Sequence, residues 1–244
     1  VIAQIKAELL KVRSTRTTLG LLLGMIALIL LFSLLTGLLS QASALTSTEH
    51  QRQVLSLGSL AGLFSALAGV LLVTSEYRYG TIRPTFLFTP RRPRVLVAKL
   101  AAGLLAGIVF GVLGEGVGFG IGYLILDARG ISFSLSGGDV ALLVLGTLAA
   151  TSLWGAMGVG LGAILRNQVG AVITLLAWGF IVDNLLFGLV PSVGRFTPTR
   201  AQDAFIGLTT EHLLSPAAGG LVLVAWVVVL AVIGLPLVTR RDVT

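Results

Sequence analysis

Six apolar stretches, each long enough to cross a lipid bilayer, govern what this chain can fold into: residues 19–39, 54–74, 97–126, 139–165, 169–190 and 217–238. A helix needs roughly 20 apolar residues to span the hydrocarbon. The third and fourth stretches exceed that, which predicts tilt, a kink or extension beyond the lipid. Composition points the same way. Only 11% of the 244 residues are charged and the mean hydropathy is +1.00, whereas a soluble domain carries about 25% charge. The reading is an all-α integral membrane protein with six transmembrane helices in one domain over 1–244. The first run follows a long charged segment and precedes no convincing cleavage site, so it reads as a retained span rather than a signal peptide.

Glycine recurs inside the spans at intervals of four, as Gly103, Gly107 and Gly111 and again as Gly114, Gly118 and Gly122. Small residues at that spacing let helix backbones approach closely, so these glycines read as packing positions.

Six spans put both termini on one side, and basic residues choose it. Thirteen of the 17 Lys and Arg fall in the N-terminal segment, in 75–99, at Arg166 and at Arg240 and Arg241; Arg52, Arg129, Arg195 and Arg200 fall on the other side. The positive-inside bias places the termini and 76–96 in the cytoplasm. The net charge of +7 is therefore read as topology, not as nucleic-acid binding.

Residues 1–18 form an amphipathic interfacial helix in this reading. Ile2, Ile5, Leu9 and Val12 share a stripe beside Lys6 and Arg13, which suits a helix in the headgroup layer with basic stems snorkelling to phosphates. A solvated helix that merely enforces topology is the plainer alternative. The outer loops are 40–53, 127–138 and 191–216, the last long enough for a short interfacial or re-entrant helix.

The segment 76–96 gathers charge, prolines and rings that the rest of the chain avoids. Ile82 and Phe86 would share one face of a short helix. Pro84 suits its first turn, and Pro90 and Pro93 would end it. An apolar knob with a basic rim on the wet side is a docking surface or a membrane-surface loop, and the physics alone leaves the two open.

Catalytic patterns are missing. No GxxxxGK[ST] sequence exists to cradle nucleotide phosphates, and there is no cysteine. His50 and His212 are far apart, with no HExxH spacing for a metal, and no GxSxG elbow occurs. The chain is expected not to be an enzyme and to bind no metal. Two acids lie within spans, Glu115 mid-way along the third and Asp183, followed by Asn184, late in the fifth. Charge at the bilayer centre costs at least ~2.5 kcal/mol, so these three are candidate pathway or intramembrane polar residues. Glu115 could line a path, bind protons, or be a hydrogen-bonded packing residue near Trp or Thr, and the glycines around it could permit a break in the helix. For Asp183 the plain alternative is an interfacial helix residue.

Glu76, Gly80-Thr81, Arg83, Pro90, Arg92 and Lys99, in that order after the second span, resemble the corresponding segment of ABC-2-type transporter permeases. Residues 7–18 (AELLKVRSTRTT) resemble that family's elbow helix, and 158–170 (GVGLGAILRNQVG) its fourth span and short link. The resemblance implies a permease subunit of a bacterial ABC exporter in the cytoplasmic membrane, working with a second copy or a paralogue and with membrane lipids. It also implies a separate ATPase subunit that holds ATP and Mg, this chain binding no cofactor of its own. Residues 78–90 would be the coupling helix, with Ile82 and Phe86 as apolar anchors and Arg83, Arg91 and Arg92 as electrostatic partners beside Arg78 and Thr81. Glu76 and Lys99 would sit at the cytoplasmic membrane edge, Glu76 pairing with an Arg or capping the helix. The cargo class is hydrophobic or amphipathic: a drug, lipid or peptide. A proton-coupled secondary transporter using Glu115 and Asp183 is the alternative, and a membrane anchor or immunity-type subunit that binds a ligand without moving it is a third.

Overall fold

A computed structural model describes residues 2–88 and 91–240. Pro90 and Arg241, which belong to the coupling segment and the charge count, lie outside the described residues, as does the side chain of Arg240. All regular structure among the described residues is helical. Helix α1 (Ile2–Ser14) leads into α2 (Arg16–Leu39), the first span. The second span is composite, with α3 (Thr48–Leu55), a 3-10 segment (Ser56–Leu60) and α4 (Ala61–Arg78). The short α5 (Ile82–Phe88) precedes α6 (Arg92–Ala128), the third span, and α7 (Gly137–Leu165), the fourth. The fifth span joins α8 (Gln168–Ala177) through a π-helical turn (Trp178–Val182) to α9 (Asp183–Leu189). Two short helices, α10 (Pro191–Gly194) and α11 (Pro198–Phe205), precede α12 (Pro216–Arg240), the sixth span.

All six expected stretches are thus helices long and apolar enough to cross a membrane. The long third span does not break at its glycines. It runs unbroken for 37 residues, about 55 Å at ~1.5 Å per residue, and so projects beyond a hydrocarbon layer about 30 Å thick. The interruptions lie elsewhere, in the 3-10 segment of span 2 and the π turn of span 5.

Spans 2, 3 and 4 make the core. Their apolar segments are 61, 56 and 56% buried, against 17, 11 and 17% for spans 1, 5 and 6. Close approach explains the contrast. Gly103 and Gly107 face the span-4 backbone, at Gly155 and Thr151, so closely that an added Cβ would overlap it. Gly114 and Gly118 turn to span 2 instead, at Ala61 and Gly58. The three-residue step from Gly111 to Gly114 moves the glycine stripe from one neighbour to the other, so one helix packs tightly on two. At the N-terminus of α7 Ser136 is the cap: its hydroxyl accepts the Asp139 N–H, and Asp139 accepts the Ser136 N–H. Arg52 holds both Asp139 and the Gly207 carbonyl, tying α3, α7 and the loop after α11 together.

Candidate functional site

At one end of the bundle lie α1, α5, the link at Arg166 and the last turn of α12. Arg92 donates to the Thr239 carbonyl at 3.1 Å, and Arg166, in a left-handed conformation at φ 54°, donates to the Leu237 carbonyl. A tight turn with Gly80 at φ 70° carries span 2 into α5.

A buried charge cluster lies at the root of this turn. The Lys99 ammonium has three N–H donors, and all three are used: on Glu8 Oε2 (2.9 Å), Glu76 Oε1 (2.8 Å) and the Leu72 carbonyl (3.0 Å). Lys11 closes the ring, donating to Glu76 Oε1 (2.6 Å) and Glu8 Oε1 (3.1 Å). Two acids and two lysines make the cluster neutral. The Glu8, Glu76 and Lys99 side chains are 7, 5 and 3% exposed, that of Lys11 46%. Desolvation pulls the Lys11 pKa down, but its hydrogen bond to Glu76 and the charges of Glu76 and Glu8 outweigh this and leave it above the ordinary 10.5. The cluster pins α1 to spans 2 and 3, where those spans flank α5.

Glu76 and Lys99 therefore belong to one site, though the Glu76 partners are lysines, not an arginine. Glu8 and Lys11 are members that sequence reasoning missed. The only signal was an acid beside the apolar stripe of an otherwise basic helix. That stripe also faces differently than expected. Leu9 and Val12 pack with Leu72, Val73 and Leu96 in a core cluster rather than in headgroups, while Ile2 is 73% exposed.

Helix α5 displays a different face from the one expected. Ile82 is buried and Phe86 packs against the same core cluster, with the Arg92 guanidinium 5.0 Å from its ring centroid. These two are inward anchors and not a displayed knob. The displayed residues are Leu87 and Phe88, 80 and 89% exposed. Thr81, Arg83 and Arg91 are exposed around them. Arg78 is exposed too and reaches Gln168 at 3.2 Å. Arg92 faces inward as a tie between α5 and α12.

The intramembrane candidates are not brought together. Glu115 is 2% exposed, and its helix packs on Gly58 of the 3-10 segment. Neither of its carboxyl oxygens makes a hydrogen bond of normal length, and the Thr147 hydroxyl is the polar group that acts on it. Asp183 instead accepts the Thr199 N–H at 3.1 Å, and Asn184 accepts from Arg200 at 2.7 Å. Both hold α11 against the C-terminal end of span 5.

The chain matches no protein-family model and no curated protein.

Proposed function

We propose that this chain is the membrane-spanning permease subunit of an ATP-driven exporter in a bacterial cytoplasmic membrane. The observation that carries the reading is α5: a short helix joining two core spans, anchored inward by Ile82 and Phe86, with Leu87 and Phe88 turned outward inside a basic rim. Exposed apolar side chains on the wet face of a membrane protein favour a docking partner, and a separate nucleotide-binding subunit holding ATP and Mg is that partner. The coupling contacts then shift along the helix, with Leu87 and Phe88 entering the partner's groove and Arg83 and Arg91 meeting its acidic edge. A push on α5 passes through the apolar cluster that Phe86 shares with Leu9, Leu72 and Leu96, so α1, span 2 and span 3 move together. Two copies, or one copy and a paralogue, enclose the path, and alternating access follows from ATP-driven closure of the partner subunits. The thinly buried spans 1, 5 and 6 leave surface for lipid and for that second copy. Hydrophobic or amphipathic molecules are the cargo class.

The test is purification in mild detergent from the native membrane. A P-loop ATPase should co-purify, and Leu87→Ser/Phe88→Ser should release it while the permease stays folded. Retention of the ATPase by the folded double variant, or no ATPase at all, would refute the reading. Glu115 favours one alternative, a proton-coupled carrier, because its buried carboxyl has no charged partner and makes no hydrogen bond of normal length. Uptake or efflux driven by a pH gradient without nucleotide, and lost in Glu115→Gln, would establish that instead.

A further inference from the structure

Span 1 leaves the bundle at the end that carries α1. Its buried residues, Met25, Ile29, Ser33 and Gly37, form one stripe at intervals of four, whereas nothing from Arg16 to Gly24 is buried. Towards its C-terminus the same helix lies close on span 3, where a Cβ on Gly37 would overlap the Ile125 side chain. The gap at the α1 end is a cavity of about 380 Å³, more than twice the ~150 Å³ that takes one benzene ring. Leu9 of α1, Leu19 and Leu22 of span 1 and Leu105, Val109 and Phe110 of span 3 make its apolar wall. Phe110 is buried, but Leu19 and Val109 are 58 and 53% exposed, so the cavity opens sideways onto the surroundings of the bundle.

Charge supplies a second, independent observation. The polar residues on the wall are Arg13 and Thr18, which flank the corner between α1 and α2, so a cation and a hydroxyl stand at one end of an otherwise apolar cavity. Arg13 makes no hydrogen bond or ion pair among the described residues, and neither does Lys6. The two are seven residues apart and so share a face of α1, together with the exposed Ile2 and Leu10. No acid is left to meet these cations: among the described residues the acids at this end are Glu8 and Glu76, and Lys11 and Lys99 already hold both.

We propose that this cavity holds one anionic phospholipid, with an acyl chain between spans 1 and 3 on Phe110 and the headgroup phosphate on Arg13. A guanidinium offers paired N–H donors that match two phosphate oxygens. Lys6 supplies further uncompensated charge along the same face, which favours a lipid of net negative charge over a zwitterionic one. Apolar and basic side chains together on one helix face suit the surface of an anionic bilayer, and the cavity gives one lipid of that layer a fixed place. The acyl chain fills the gap where span 1 lacks a protein neighbour. The site does not depend on the transport reading and would exist in a protein that exports nothing.

The probe is dioleoyl phosphatidylglycerol, added to delipidated protein in mild detergent, with dioleoyl phosphatidylcholine and glycerol phosphate as controls. Native mass spectrometry should show one tight phosphatidylglycerol adduct and at least tenfold weaker binding of each control. Arg13→Gln should raise the phosphatidylglycerol Kd at least tenfold, whereas Arg83→Gln, which removes an exposed cation of α5 that is not on the cavity wall, should leave it unchanged. Thermal unfolding gives a second readout: phosphatidylglycerol should raise the Tm of the unaltered protein and leave that of Ala106→Phe, which fills the cavity from span 3, unmoved. Equal effects of Arg13→Gln and Arg83→Gln, as for charge attraction to the whole surface, would overturn the proposal. So would equal binding of the two phospholipids, or of phosphatidylglycerol and glycerol phosphate, or equal Tm shifts in the unaltered and Ala106→Phe proteins.

Discussion

Replacing Lys99 with Met removes the centre of the buried cluster, and the structure sets the size of the effect. Three hydrogen bonds disappear, two of them to carboxylates, and hydrogen bonds to charged groups are worth about 1.5–3 kcal/mol each. Glu8 and Glu76 then share a nearly dry site with one half-exposed ammonium, that of Lys11. Removing one partner of a buried ion pair costs about 3–5 kcal/mol, and Lys99→Met should fall in that range. Lys99→Met/Glu8→Gln restores neutrality by leaving the 2.6 Å Lys11–Glu76 pair, and it removes the uncompensated buried charge that makes loss of one partner costly. The double variant should therefore recover at least half of the loss. Denaturant unfolding in mild detergent, followed by tryptophan fluorescence, measures both. Proteolysis between α1 and α2 should also accelerate in the single variant and slow again in the double. Lys99→Met as stable as the unaltered protein, or a double variant worse than the single, would refute the view that the cluster acts as one neutral unit.

Gly107→Ala should destabilise the protein by about 1–3 kcal/mol, the usual cost of overpacking, because the new Cβ meets the Thr151 carbonyl; Gly120→Ala, with open space around it, should be neutral or slightly stabilising in the same thermal-unfolding assay. Burial raises the Asp203 pKa from 3.8 to about 6, Asp183 adding to the rise and Arg200 opposing it. The folded state therefore holds this proton more tightly than the unfolded one, and stability gained below pH 3.8 is lost as pH rises through about 6. Relative to Asp203→Asn, the protein should be more stable at pH 5 than at pH 7.5 by on the order of 1–2 kcal/mol, and a pH-independent difference would refute this. Lys11 acts in the other pH range: its raised pKa means that its hold on α1 is complete below 10.5 and fades as pH rises above it. Proteolysis between α1 and α2 should therefore be unchanged from pH 6 to 9 and should rise above pH 10.5 in the unaltered protein more than in Lys11→Met.

The six spans were legible because lipid leaves a chain few choices: backbone polar groups must be satisfied within each segment, and the apolar runs mark where. The two glycine triplets were legible as packing sites for a similar reason, since only small residues at that spacing admit a neighbouring backbone. Which neighbour each triplet meets was not, because the switch from span 4 to span 2 depends on the angles at which three helices cross. Local pattern misplaced the face of α5. Spacing put Ile82 and Phe86 together correctly, but their outward display was assumed, and the core at Leu72, Val73 and Leu96 had apolar surface for them to cover. Glu8 escaped notice because an acid in a basic amphipathic helix looks like ordinary solvated charge. Its role appears only when Lys99, 91 residues later, arrives beside it. The 3-10 segment of span 2 carries no Pro and reads as apolar helix; its cause is tertiary, in the approach of Gly58 to span 3.

The π turn of span 5 also determines which way its last acid points. Ala171 and Leu175 face the bundle from α8, and Asp183 faces it from α9. In a regular α-helix, at about 100° per residue, Asp183 would stand some 80° round from Leu175, turned toward lipid. The turn absorbs about one extra residue, which brings the carboxylate back to within roughly 20° of that stripe and under the Thr199 N–H. Span 5 therefore has two reading frames joined at residues 178–182, like a gene with a programmed slip. A one-residue deletion inside those five positions would leave both frames in phase, whereas the same deletion at residue 172 or 186 would turn one half of the helix against the other.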